Sequence, residues 1–144
     1  VGAVFFVVNK TESSMNALSL LKIALVVFGV VMLLIYPLSI VWPAGWAWHM
    51  GAPYESDYFM MIVGVYAVLG IFLILAARDP LANKSLIWFA AWSSLVHAGI
   101  MAQQSFGMTG GMNHMGHLMG DVPALLGVAV VLGGLLWSAD KSAA

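Results

Sequence analysis

Cysteine is absent from this sequence, and with it go disulfides, thiolate metal sites and cysteine nucleophiles. Charge is nearly as scarce. Charged residues make up 8% of the chain, five cations against six acids for a formal net charge of -1. The cations are spread rather than clustered, so there is no basic footprint for nucleic acid. Catalytic metal motifs are missing too: the close pair His114 and His117 sits in HMGH, which is not the HExxH of a zinc protease. The sequence shows no internal repeat and no obvious broken hydrophobic segment, features common among transporters.

What the chain has instead is apolar bulk. With 62% hydrophobic residues and a mean hydropathy of +0.99, 144 residues would expose far more apolar surface in water than a soluble monomer tolerates. The chain is therefore read as an integral membrane protein with the lipid bilayer as its first partner. A spanning helix needs about 20 mostly apolar residues, and four segments qualify: 17–37, 58–77, 84–105 and 118–138. Lipid offers the backbone no hydrogen-bond partners, so such segments must be helices. The expected fold is all-α, an up-and-down four-helix bundle forming a single domain over residues 17–144.

Residues 1–16 form an extension. VGAVFFVV is too short to span before Asn9, Lys10 and Glu12, and it lacks the basic start of a secretory signal. It is expected along the membrane surface, with Ser13 or Ser14 capping the first helix and Met15 a candidate translation start.

Short cytoplasmic loops retain lysine and arginine. Lys10 and Lys22, Arg78 and Lys84, and Lys141 all fall on one side of the expected bundle, whereas 39–57 and 106–117 contain neither residue type. Both termini are thus expected in the cytoplasm, with the two cation-free loops outside. Lys22, just inside the first helix, is expected to snorkel to the interface. The first outer loop carries Trp42, Trp46 and Trp48 as interfacial anchors, then His49, Tyr54, Glu55 and Asp57.

Helix three adds a buried polar group. From Lys84, thirteen residues at 1.5 Å rise carry His97 roughly 20 Å into the bilayer, the outer half of the hydrocarbon. Ser93, Ser94, Met101 and Gln104 share its helical face. A polar stripe at that depth should turn inward and find a partner. A helix four beginning near Asn113 would align His114, His117 and Asp121. A carboxylate such as Asp121, bonded to one nitrogen of His97 or His117, would orient that ring and leave its other nitrogen for a ligand. The expected polar, ligand-binding cluster is His49, Glu55, His97, Gln104, His117 and Asp121. Two plainer alternatives stand beside it. Asp121 before Val122 and Pro123 is an ordinary helix start, and His97 would be satisfied by a serine or a backbone carbonyl of another helix.

The stretch GMTGGMNHMGHLMGD, residues 107–121, adds thioethers to imidazoles. Met112, His114, Met115, His117 and Met119 form a set suited to Cu(I) on an exterior face without cysteines. Methionine is also a general packing residue, and six more lie elsewhere in the chain. Five glycines make the stretch flexible, so ordering it around an ion costs entropy.

WPAGW, Tyr54–Glu55, IVGVYAVLG, AARDP, SLIWF, WSSLVHA and HLMGDVPALL together resemble a family of small bacterial four-helix membrane proteins catalogued as a domain of unknown function. The resemblance covers about residues 18–136. It implies the four-helix fold and a place in a bacterial inner (cytoplasmic) membrane, and it brings no activity. His49, Glu55, His97, His117 and Asp121 fall on matching positions. Residues before Met15 and the stretch GMTGGMNHM lie outside the pattern, which makes copper a feature of this member rather than of the family.

Three functional classes follow. The first is a non-catalytic accessory subunit of a larger membrane complex, with Gly64, Gly70, Gly127 and Gly134 as small positions for helix contact. The second is a binding protein that uses the outer His/Asp/Glu cluster for copper, haem or a quinone. A small transporter is disfavoured. An enzyme would need His97, Asp121 and Glu55 to converge.

Overall fold

The computed structural model describes the backbone of residues 2–42, 52–106 and 118–143 and the side chains of 16–42, 52–106 and 118–142. All regular structure among the described residues is helical: α1 (Gly2–Leu33), α2 (Ile35–Val41), a 3-10 turn (Pro53–Glu55), α3 (Asp57–Ala76), α4 (Lys84–Phe106) and α5 (Asp121–Ala143). Four stretches are long and apolar enough to cross a membrane: Asn16–Leu33, Asp57–Ala76, Lys84–Phe106 and Asp121–Ser142. They are the four expected spans, in an all-α bundle.

Several boundaries differ from the expected ones. α1 is helical from Gly2 with no break before Leu33, so neither Ser13 nor Ser14 starts it. The first span does not run evenly to Pro37. The helix breaks at Leu34 and resumes as α2, because Pro37 has no N–H to offer the Leu33 carbonyl and its ring crowds that carbonyl. The described residues thus do contain a broken helix here, although the break lies at the end of the span. Ser39, fully buried in α2, donates its hydroxyl to the Tyr36 carbonyl at 2.7 Å. α3 begins one residue early because Ser56 caps it, its Oγ accepting from the Phe59 N–H at 3.3 Å.

α5 runs past Ser138 to Ala143. Its polar last turn is held by an ion pair between Lys84 and Asp140, by Lys141 lying 3.9 Å over the Trp137 ring, and by Ser142 donating to the Ser138 carbonyl. The tight turn between α3 and α4 is closed by Asp79, which accepts from the Ala82 N–H and receives the Asn83 side chain on its carbonyl.

Packing follows a row rather than a closed square. α1 lies against both α3 and α5, and α5 lies against α4, whereas α3 and α4 touch only lightly although they are consecutive in the chain. The core is a single stripe from each span: Leu21 and Leu25 of α1, Leu73 of α3, Ile87 of α4, and Leu132 and Leu136 of α5 are fully buried. The remaining faces, carrying Val65, Phe89 and Val130 among others, are exposed. In lipid these faces need no cover, and close backbone contact takes over the role of apolar burial.

Small residues make that contact. α4 presents Ala90, Ala91 and Ala98 to the bundle, and Gly133 of α5 receives the Trp88 ring, whose edge lies 3.3 Å from where a Cβ would stand. The tightest crossing is between α1 and α3 at Gly29 and Gly70. A Cβ on Gly29 would stand 2.7 Å from the Gly70 carbonyl oxygen, and one on Gly70 would stand 2.6 Å from the Gly29 oxygen. Of the four glycines expected at contacts only Gly70 is used so. Gly64, Gly127 and Gly134 have nothing within 4 Å of a Cβ position.

Candidate functional site

α3 starts at Asp57 and α4 ends at Phe106, at the same end of two antiparallel helices. Tyr66 is nine residues from the first of these and His97 nine residues from the second, so both lie about 13 Å in from that end. Equal depth lets them meet. The Tyr66 hydroxyl and His97 Nδ1 are 2.6 Å apart, a strong hydrogen bond by length. The rings lie nearly parallel, at 23°, with centroids 6.1 Å apart. Both side chains are half-buried, and they bridge two consecutive spans that touch only lightly.

The bond has two chemical forms. If the phenol donates, Nδ1 is the acceptor and the histidine proton sits on Nε2; if Nδ1–H donates, Nε2 becomes an acceptor. In either form Nδ1 is engaged, so any ligand or metal ion reaches His97 through Nε2.

Asp121 is the third member. Its carboxylate is near enough for its charge to act on both Tyr66 and His97. The Lys84–Asp140 ion pair puts the start of α4 level with the end of α5. From there His97 is thirteen residues along α4 and Asp121 nineteen residues back along α5, a difference of about 9 Å in rise. The carboxylate therefore stands further than the Tyr66–His97 pair toward the end of the bundle where α3 starts and α4 ends. As the first residue of α5 it also opposes the positive end of the helix dipole. The ordinary helix-start role and the electrostatic role coexist.

The rest of the expected stripe divides. Ser94 is buried. Ser93 is half-buried and returns its hydroxyl to the Ala90 carbonyl at 3.2 Å, the usual behaviour of serine in a helix. Met101 is half-buried, while Gln104, expected to face inward, is exposed at the end of α4. Glu55 is exposed in the 3-10 turn. Met119 is also exposed. His49, Met112, His114, Met115 and His117 lie outside the described residues, as do Trp46 and Trp48. Among the described residues no three histidines, aspartates or glutamates come together as a metal site.

Tyr66 was not among the residues expected here. Its signal was present: a phenol in the middle of a 20-residue apolar span must hydrogen-bond something, and the residue at matching depth on the next helix is His97.

No curated protein matches the chain, and no solved structure does. A family model, described only as a family of unknown function (DUF6632), matches residues 15–143. The match takes in all four candidate spans together with Tyr66, His97 and Asp121, leaves out the segment before Met15, and shows that the chain belongs to this family of unknown function.

Proposed function

We propose that this protein is a small non-catalytic accessory subunit of a membrane complex, and that it holds a lipid-soluble ligand of the quinone class between α3 and α4. One observation carries the proposal: the Tyr66–His97 hydrogen bond at mid-depth, between two helices that otherwise touch only lightly. Ionisable groups at such depth are expensive and mark sites of function. When Tyr66 donates to Nδ1, His97 offers an Nε2–H to a quinone carbonyl; in the other tautomer Nε2 accepts from a quinol hydroxyl. The same pair thus receives either form of the headgroup. A tail leaves through the loose α3–α4 side into lipid.

In this reading the protein sits in a bacterial inner membrane with both termini in the cytoplasm. Support comes from Arg78 and Lys84 in one turn and from Lys141, one residue beyond the partner of Lys84, at the same end.

The test is solvent extraction of the protein purified in nanodiscs, followed by mass spectrometry of quinones and identification of co-purifying subunits. Quinone should be present near one per chain and fall about tenfold in His97→Ala, the equivalent of one lost hydrogen bond of about 1.4 kcal/mol. Tyr66→Phe should weaken it less, since His97 remains. A Soret band in place of quinone would replace this ligand class with haem. Undiminished quinone in a destabilised His97→Ala bundle would reduce the pair to a structural contact.

A further inference from the structure

The Gly29–Gly70 crossing has a consequence at the opposite end of the bundle from Asp121. Helices that touch backbone to backbone at one point diverge on either side of it. Seven residues from Gly29, two turns toward the cation-bearing end, lies Lys22; seven residues from Gly70 in the same direction lies Ala77. Between the diverging arms is a groove of about 320 Å³ lined by Lys22, Ile23, Val26, Val27 and Ala77. Its walls are aliphatic and it opens to the lipid face, since Ile23, Val26 and Val27 are all exposed. Arg78 follows Ala77 directly and is exposed.

Lys22 and Arg78 differ from the other described cations. Lys84 is paired with Asp140, and Lys141 lies over Trp137. Among the described residues neither Lys22 nor Arg78 has an acidic partner. Lys22 is about 9 Å along the span that starts at Asn16, and Arg78 lies just past the end of α3. Arg78 marks the interface, and the long Lys22 stem lets its ammonium reach toward that level. An aliphatic slot lined by one cation, Lys22, with a second, Arg78, one residue beyond its lining, and neither in an ion pair among the described residues, is complementary to one component of the surroundings, a phospholipid with a net negative headgroup.

We propose that this groove is a binding site for an anionic phospholipid. An acyl chain lies against Ile23, Val26 and Val27, and the phosphate is bound by Lys22 and Arg78. Snorkelling alone would turn Lys22 toward any headgroup; the groove adds a seat for the chain, which makes the contact selective and persistent. The proposal is independent of the Tyr66–His97 pair, because Tyr66 lies eleven residues from Ala77 along α3, about 16 Å away.

The experiment reconstitutes the full chain in vesicles of equal parts phosphatidylglycerol and phosphatidylcholine, then extracts it gently and counts bound lipids by native mass spectrometry. Phosphatidylglycerol should be retained in preference to phosphatidylcholine. Lys22→Gln should lower that preference about fivefold, as expected for one cation at an anionic surface, and Lys22→Arg should keep it. The double change Lys22→Gln with Arg78→Gln should abolish it. Val27→Trp, which fills the slot and leaves both charges, should also abolish it. These side chains are exposed, so the bundle should fold in every variant, as checked by its circular dichroism. No preference in the wild type, or a preference that survives either the double change or Val27→Trp, would overturn the proposal.

Discussion

Gly29→Ala and Gly70→Ala should each loosen the bundle, and the close approach of the two backbones gives the size of the effect. The new methyl of Gly29→Ala would stand 2.6 Å from Ile74 Cγ1 and 2.7 Å from the Gly70 carbonyl oxygen. Ile74 has rotamers to use, but the carbonyl does not. In Gly70→Ala the methyl would stand 2.6 Å from the Gly29 oxygen and 3.2 Å from Met32 Cβ. Relief requires the helices to part by most of an ångström, an overpacking penalty of about 2–3 kcal/mol. Alanine recovers about 1 kcal/mol through helix propensity, leaving a net loss of about 1–2 kcal/mol. Gly64→Ala and Gly134→Ala, with nothing within 4 Å, should be neutral or gain up to about 1 kcal/mol. Because one separation of the helices admits both methyls, the double variant should lose much less than the sum of the singles. The assay is unfolding in mixed micelles at rising dodecyl sulfate, followed by helical circular dichroism. If Gly29→Ala and Gly70→Ala track Gly64→Ala, or if the double variant is additive, the two glycines are not in backbone contact.

Three further outcomes are expected. Cysteines introduced at Ala44 and Thr109 should react with an impermeant thiol reagent in intact cells while one at Ala82 stays protected; labelling of Ala82→Cys alone would invert the topology. Supplied Cu(I) should bind near one per chain through His114 and His117 with Met112, Met115 or Met119, and the double change His114→Ala with His117→Ala should abolish it while leaving the helices folded; stoichiometric copper in that double variant, measured by elemental analysis, would remove the loop as its site. Lys84→Met should shift stability by less than about 1 kcal/mol, because both members of the Lys84–Asp140 pair are close to half exposed; a larger loss in the same micelle titration would mean that the pair orients α4 on α5.

Spans and their order were legible in the sequence because the membrane demands continuous apolar runs of fixed length, a signal that survives almost any choice of apolar residue. Which face of each run is core was not. Val26 and Val27 of α1 are exposed while Leu25 is fully buried, and nothing in their chemistry separates them, since lipid and core are equally apolar. The same ambiguity hid Gly29. Four glycines with suitable spacing were candidates for contact, and Gly70 is the one of them that meets a neighbour closely; its partner is a glycine in a run of valines with no distinguishing motif. The break at Leu34 was readable in principle from Pro37, four residues past Leu33. The apolar pattern continues across it unchanged and masked it.

Depth made half of the polar site legible. His97 was placed by counting from Lys84, and the same count on α3 from Asp57 would have set Tyr66 at its level. The expected cluster of histidines, acids and Gln104 left out the phenol. The reason it matters lies in the packing. Three of the helix pairs touch along much of their length, so their geometry is determined many times over by aliphatic and backbone contacts. α3 and α4 touch lightly, and their hydrogen bond at 2.6 Å carries a larger share of what holds those two faces together. A polar contact surrounded by dense packing rigidifies a core. In the function proposed above, one that spans a loose junction gives a ligand approaching from the bilayer a place to enter and a group to bind. Of the two plain roles open to His97, structural partner and ligand-binding side chain, the loose junction favours the second, with Tyr66 holding the ring so that its Nε2 edge is presented in a defined direction.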